Sequence, residues 1–153
     1  MIIEMNKSCD GCTKCCEGWL WGSAHGHHFF RGRPCHYIAE GKGCSIYEDR
    51  PDVPCKSYKC EWLKNQDFPM WMKPSDSKVI ISEIKWGTNN QHRAIEVIEC
   101  GEKIDSTVLS WLFFYHQMTG TNMSVEIDGG LVHYGSREFL IYKGVINETE
   151  VEP

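Results

Sequence analysis

The stretch Lys7–Leu20, KSCDGCTKCCEGWL, places four cysteines within eight positions, two of them adjacent. Thiols this dense have three chemical uses: disulfide bonds, metal ligation, or a reactive redox thiol. The spacing favours metal. In Cys9-x-x-Cys12 two thiolates can meet one ion from a tight turn, and Gly11 supplies the turn's conformational freedom. The spacing repeats at once from Cys12 to Cys15. The adjacent Cys16 then faces the other way if the segment is extended, because neighbouring side chains point to opposite sides of a strand. On that geometry Cys15 and Cys16 serve two sites more easily than one.

The remaining thiols follow at longer intervals. Cys35 comes after RGRP, Cys44 after GKG, and PCKSYKC supplies Cys55 and Cys60. Glycine and proline beside each one mark turns, where ligand-bearing backbone can bend around an ion. Of the nine cysteines in the 153 residues, only Cys100 lies outside this region. Eight candidate ligands suffice for two four-coordinate sites, the chemistry of structural zinc. The run C-x-x-C-x-x-C also matches the iron–sulfur spacing of bacterial ferredoxins, but the three residues and CP that continue that pattern are missing. Zinc, about two ions, is the favoured reading, and an iron–sulfur cluster is the alternative. Assignment of thiols to sites stays open.

Disulfides fit less well. They suit small secreted domains, whereas the count here is odd and the N-terminus, MIIEMNKSC, carries Glu4 and no apolar stretch of signal-peptide length. A cytoplasmic location is the expectation. A thioredoxin-like use of C-x-x-C needs a strand–helix junction, and no strand precedes Cys9. Four histidines, His25, His27, His28 and His36, lie among the thiols. One reading adds them to the ligand set or to an open catalytic site, with His25 and His27 on one strand face and His28 on the other. The preferred reading is a polar, solvent-facing hairpin, because eight thiols already complete two sites.

CDGCTKCC, then PC, then GCSIYEDRPDVPCKSYKCEW resembles the YkgJ-like cysteine-cluster family, described as zinc- or iron-chelating. The family pattern is matched at Cys9, Cys12, Cys15, Cys16, Cys35, Cys44, Cys55 and Cys60, with Tyr47, Arg50 and Pro51; WMKP, Trp71–Pro74, is also similar to small members. The resemblance covers about the first 60 residues and implies metal binding by those eight cysteines. It leaves any reaction open. Related clusters occur in flagellin lysine methylases, where an iron–sulfur role is implied, but methylation is not carried over to a chain this short.

Composition divides where the cysteines do. Residues 1–64 hold nine Lys/Arg against eight Asp/Glu, and residues 65–153 hold seven against thirteen. The first part, 1–64, reads as an irregular metal-binding lobe. Lys7, Lys14, Arg31, Arg33, Lys56 and Lys59 can offset the charge of about −4 that eight thiolates around two divalent ions would add. The second part, 65–153, reads as a small α+β layer, and the two together are expected to form one compact unit. The overall class is α+β, with the cysteine-rich lobe packed on a small antiparallel sheet carrying one main helix.

Within that second part Pro69 and Pro74 mark a connector from which Phe68, Trp71 and Met72 pack onto a neighbour. KVIISEIKW and HRAIEVIEC read as a hairpin around GTNNQ. DSTVLSWLFFYHQMTG reads as a helix capped by Asp105 or Ser106 and ended by Gly120. Its buried stripe is Val108, Trp111, Leu112, Tyr115 and Met118, with His116 at the edge. SVEI, LVHY and REFLIY read as a three-stranded meander. Cys100 reads as a small packed residue.

Function is bounded mainly by exclusion. The net charge of −5 argues against non-specific nucleic-acid binding, although basic residues beside Trp19, Trp21, Phe29 and Phe30 keep that class in view. No run of about 18 apolar residues crosses a membrane as a helix. H-E-x-x-H, a Walker loop, G-x-S-x-G and a Rossmann fingerprint are absent. A structural metal module that presents a surface to a protein partner is the first reading. The second is a redox or group-transfer metalloenzyme with Glu17, His25 or His27 as candidate base.

Overall fold

The computed structural model describes residues 7–9, 12, 14–39 and 43–148. Glu4, Gly11 and the Gly41–Lys42 pair, which carry readings above, lie outside these. The chain's contacts divide it into two compact units, Met1–Ile80 and Ile81–Pro153. The molecule is α+β, built from small sheets and few helices.

In the first unit regular structure is sparse. Strands β1 (Gly22–Ala24) and β2 (His27–Phe29) form an antiparallel hairpin in the register Gly22↔Phe29, Ser23↔His28, Ala24↔His27. Its turn residues, His25 and Gly26, both have positive φ, at 48° and 82°, the conformation that matches the twist of a two-residue hairpin. Strands β3 (Ile38–Ala39) and β4 (Gly43–Cys44) pair Ile38 with Cys44. Two single-turn helices follow, α1 (Glu61–Lys64) and α2 (Pro74–Ser77). The apolar support of this region is Trp62, Phe68 and Met72, all essentially inaccessible, whereas Trp71 stays 43% exposed. The Trp62 indole donates to the Pro69 carbonyl at 2.9 Å, so the connector's proline-bounded turn is tied to α1.

The second unit follows a different logic. Strand β5 (Val79–Trp86), inside which the division between the units falls, leads to β6 (His92–Glu99), then helix α3 (Ser106–Thr119), strands β7 (Met123–Ile127) and β8 (Gly130–Tyr134), and helix α4 (Arg137–Tyr142). The sheet order is β5-β6-β7-β8. β7 and β8 form the expected antiparallel pair, but β6 and β7 run parallel, with Glu96 opposite Ser124. A parallel pair needs a long crossover, and α3 is that connection.

Helix α3 begins where expected. The Asp105 carboxylate accepts the Thr107 N–H at 2.7 Å, and Gly120, at φ +72°, ends the helix by donating to His116 O. Val108, Leu112 and Tyr115 are buried as read; Trp111 is half-buried and stacks on Tyr115, but Met118 is 69% exposed. His116 sits at the stripe's edge, its Nδ1 2.7 Å from Thr121 O. Cys100 is buried, as expected of a packing residue.

REFLIY is not a strand. It forms α4, with Ser136 Oγ accepting the Phe139 N–H at 3.2 Å and Gly144 N–H donating to Ile141 O. The alternation of apolar residues suggested a strand, yet only Phe139 needs burial, against Trp86 and Ala94. One buried anchor suits a helical turn, and the serine cap decides it.

The parallel pair is locked at one end by a buried carboxylate. Glu99, at the end of β6, accepts the Ile104 N–H at 2.6 Å and the Gly129 N–H at 2.9 Å, joining the entry to α3 to the β7–β8 turn. Burial alone would raise its pKa, but bonds from the backbone of Gly129, Ile104 and Asp128 hold it below the usual carboxylate range. A depressed folded-state pKa contributes stability above the unfolded value and loses it as pH falls through the folded one. Replacing Glu99 by Gln is therefore expected to cost about 1–3 kcal/mol near neutral pH. Urea unfolding of both proteins across pH checks this. The gap should narrow as the medium is acidified through the carboxylate range, and a gap unchanged in acid would mean that the charge is not what holds these segments.

Candidate metal centre

All eight cysteines of the first region line a single cavity of about 430 Å³ whose remaining wall is mostly apolar, including Leu20, Ala24, Phe29 and Ile80. Cys100 is not among them. All nine cysteines are free of disulfides. Among the described residues no three His, Cys, Asp or Glu side chains converge at the spacing of a metal site.

The sulfur-bearing backbone is arranged by turns. Cys12 N–H donates to Cys9 O at 2.9 Å, closing the first C-x-x-C turn, and a 3-10 turn, Lys14–Cys16, carries the next two thiols. Cys15 and Cys16 are thus on a tight turn and not on an extended segment. Their sulfurs lie 3.8 Å apart instead of pointing to opposite sides. From Cys16 the chain is fastened to the segment before Cys35: Cys35 N–H donates to Cys16 O at 2.8 Å, and Gly32 N–H to Gly18 O at 3.2 Å. Gly18 is required twice over at this crossing. Its φ is +98°, and an added Cβ would stand 3.2–3.3 Å from backbone atoms of Phe30, Arg33 and Pro34.

The hairpin adds a small core. Ala24, Phe29 and Cys35 form a buried cluster, and Cys16, Tyr37 and Cys55 pack against it. Cys55 is delivered by a wide turn, Asp52–Lys56, in which Lys56 N–H reaches Pro51 O and Ser57 N–H reaches Asp52 O. Cys60 precedes α1, and Lys7 Nζ donates to the carbonyls of Trp62 (2.8 Å) and Asn65 (2.6 Å), which brings the chain beside Cys9 against the chain beside Cys60.

Electrostatics separate the thiols into two neighbourhoods. The Cys15 thiol is pushed up by its hydrogen bond with Cys16, by burial, and by the charges of Cys16, Cys12 and Cys9. Cys16 is drawn down to about 7 by the same bond, against burial, with Arg50 assisting. Burial raises Cys60, which also feels Cys9 and Cys12, while bonds from the backbone of Leu63 and Trp62 favour its thiolate. Burial likewise raises Cys35, which feels Cys16 and Cys44 and is relieved by a backbone bond from Tyr37. Cys55 is raised by burial and by Cys16, Cys35 and Cys44, and lowered by Arg50. Backbone N–H groups aimed at sulfur two or three residues back stabilise thiolates, the form that ligates metal. Eight thiols on one cavity are the donor chemistry that a thiophilic cation takes, while burial holds Cys35, Cys55 and Cys60 toward the neutral form.

The histidines stand apart. None lines the cavity. His25 occupies the hairpin turn and not a strand, so strand alternation does not relate it to His27. His25, His27 and His36 instead contact Tyr37 edge-on at ring centroids 5.0–5.9 Å away, and His27 stacks on His36 at 4.0 Å. His25, His27, His28 and His36 are all exposed, and His28 lies opposite Ser23 across the hairpin. Tyr37, which lines the cavity on one side and meets three imidazoles, carried no signal in the sequence beyond its place beside Cys35 and His36.

Arg50 was legible only through the IYEDRP match. Its Nε donates to Tyr47 O at 2.7 Å and its guanidinium lies 3.9 Å over the Tyr47 ring, fixing a cation on the cavity wall beside Cys16 and Cys55. Trp21, 85% exposed, also lines the cavity. Glu17 pairs with Lys14 at 3.0 Å.

No family model, no curated protein and no solved structure matches this chain.

The hairpin's seat on the cavity wall depends on a missing side chain. A Cβ at Gly22 would come within 2.5 Å of Phe29 Cζ and 3.1 Å of Pro54 Cγ, next to Cys55. Gly22→Ala is expected to destabilise the protein by about 1–3 kcal/mol through overpacking, read as a lower midpoint in urea unfolding. An unchanged midpoint would mean that the hairpin does not pack against Phe29 and Pro54.

Proposed function

We propose that this protein is a thiolate metal-binding module, with zinc the favoured ion at about two per chain, whose metal is structural and whose metal-bearing region presents a surface to a protein partner. The observation that carries the reading is the convergence of Cys9, Cys12, Cys15, Cys16, Cys35, Cys44, Cys55 and Cys60 on one cavity while Cys100 is packed away from it. Eight thiols from four separate segments gather there without forming a disulfide, which supports ligation over cross-linking by sulfur. When bound, zinc would supply cross-linking energy to a region with little regular structure.

The partner-binding half of the reading is supported by the exposure of Trp21 at the cavity and of Val53 on the nearby turn. Free thiols in this number fit a reducing compartment, consistent with a cytoplasmic location. No helix among the described residues is long and apolar enough to cross a membrane. Nucleic acid is not the favoured partner at a net charge of −5.

The test is metal content and a visible spectrum of the full chain purified without oxygen. About two zinc ions per chain and no visible absorption are expected, with Cys60→Ser lowering the metal content and loosening the region against proteolysis. Brown protein with iron and labile sulfide would replace the zinc module with an iron–sulfur protein, and a chain that retains no metal would overturn the reading altogether.

A further inference from the structure

The eight thiols are neighbours, but not all of one another. We infer that they form two separate four-thiolate sites, Cys9, Cys12, Cys15 and Cys60 in one and Cys16, Cys35, Cys44 and Cys55 in the other, each for one divalent thiophilic cation. This rests on the metal-binding reading above and goes beyond it by dividing the ligands.

The second group is held together by backbone and packing. Cys35 N–H on Cys16 O at 2.8 Å brings those two residues side by side. Cys16 and Cys55 both pack on the cluster that contains Cys35. Cys44 lies opposite Ile38 across β3–β4, and Ile38 N–H donates to Cys35 O at 3.2 Å, which carries Cys44 to the same place. The first group has its own ties. The Cys12-to-Cys9 turn joins two members, and Cys15 follows at once on the 3-10 turn Lys14–Cys16. Lys7, two residues before Cys9, grips the carbonyls of Trp62 and Asn65, just beyond Cys60. None of these ties links one group to the other except the peptide between Cys15 and Cys16.

That joint needs separate argument. A sulfur–sulfur distance of 3.8 Å is ordinary contact, but it also equals about the edge of a tetrahedron with 2.3 Å zinc–sulfur bonds. The contact alone would allow Cys15 and Cys16 to share an ion. Counting against it, sharing would leave Cys9, Cys12 and Cys60 with three thiols on one side, or would pull Cys16 from the Cys35 backbone to which it is bonded. The division into four and four keeps the backbone ties of both groups, and binding must draw the side chains together, since no three of the described ones already stand at ligating spacing. Each group also has one fixed cation on its border, Lys7 beside the first and Arg50 beside the second.

Cadmium NMR of the metal-exchanged full chain tests this, with zinc stoichiometry measured in parallel. Cys12→His and Cys44→His keep four donors at each site and so guard against simple unfolding. The wild type is expected to give two resonances in the tetrathiolate range. Cys12→His should shift one of them and Cys44→His the other, and Cys15→His should behave as Cys12→His while Cys16→His behaves as Cys44→His. If Cys12→His and Cys44→His move the same resonance, or if every variant moves both, the division is wrong and the thiols serve one shared cluster. If Cys15→His and Cys16→His move the same single resonance, the adjacent pair shares an ion and the division is likewise wrong. A wild-type chain that takes up neither zinc nor cadmium would instead defeat the metal-binding reading on which the division rests.

Discussion

Between Lys7 and Cys60 the described buried hydrophobic side chains are Ala24, Phe29 and Cys35. Three such residues bury too little apolar surface to order a stretch of this length, because each residue fixed costs backbone entropy that burial must offset. Everything else in the first unit answers to that shortage. The backbone closes on itself through turn bonds, Cys12 to Cys9 and Cys35 to Cys16, and the strands are two or three residues long. Gly18 and Gly22 carry no side chain where two segments touch. Such an arrangement brings sulfur atoms together with little else to hold them, and cross-linking by bound metal is the kind of energy it lacks.

The second unit has no such shortage. Val97, Val125, Met123, Leu112 and Phe139 are buried, and the parallel β6–β7 pair is bridged by a full-length helix. Its one costly element is the carboxylate of Glu99, which is buried but accepts backbone N–H groups from two connections at once. A buried charge with its hydrogen bonds made pins loops that apolar packing cannot reach. The second unit thus fixes irregular backbone with a carboxylate on N–H groups, and under the proposed reading the first would do so with thiols on bound metal.

What could be read from the sequence follows from how local each signal is. The α+β class, the first hairpin of the second part and the limits of α3 came from short-range patterns: β-rich runs around a turn, Asp105 as cap, Gly120 as stop. The parallel β6–β7 pairing did not, since nothing local distinguishes a strand that pairs with its predecessor from one that pairs after a crossover. REFLIY was misread because alternation over six residues fits both periods, and only the Ser136 cap separates them. Spacing named all eight thiols as candidate ligands of two sites, with their assignment open, and all eight line one cavity. The strand geometry assumed for Cys15–Cys16 failed because Lys14–Cys16 forms a 3-10 turn, which two adjacent cysteines do not announce. His25 failed for the same reason: the turn at His25-Gly26 is what makes the hairpin, so the residue is not on a strand at all.

Two cations stand beside the sulfurs. Lys7 and Arg50 are each fixed by carbonyl oxygens, Trp62 O and Asn65 O for one, Tyr47 O and the Tyr47 ring for the other. A carbonyl orients a cation without cancelling its charge, although the Asp67 carboxylate also acts on Lys7. Arg50 favours the ionised forms of Cys16 and Cys55, and the ammonium of Lys7 is itself held protonated in part by Cys60 against the cost of burial. Arginine suits the more crowded position because its guanidinium stays charged when desolvated and can stack on an aromatic face, neither of which a lysine there would do as well. One fixed cation beside each group of thiols is the arrangement that the proposed division into two sites calls for.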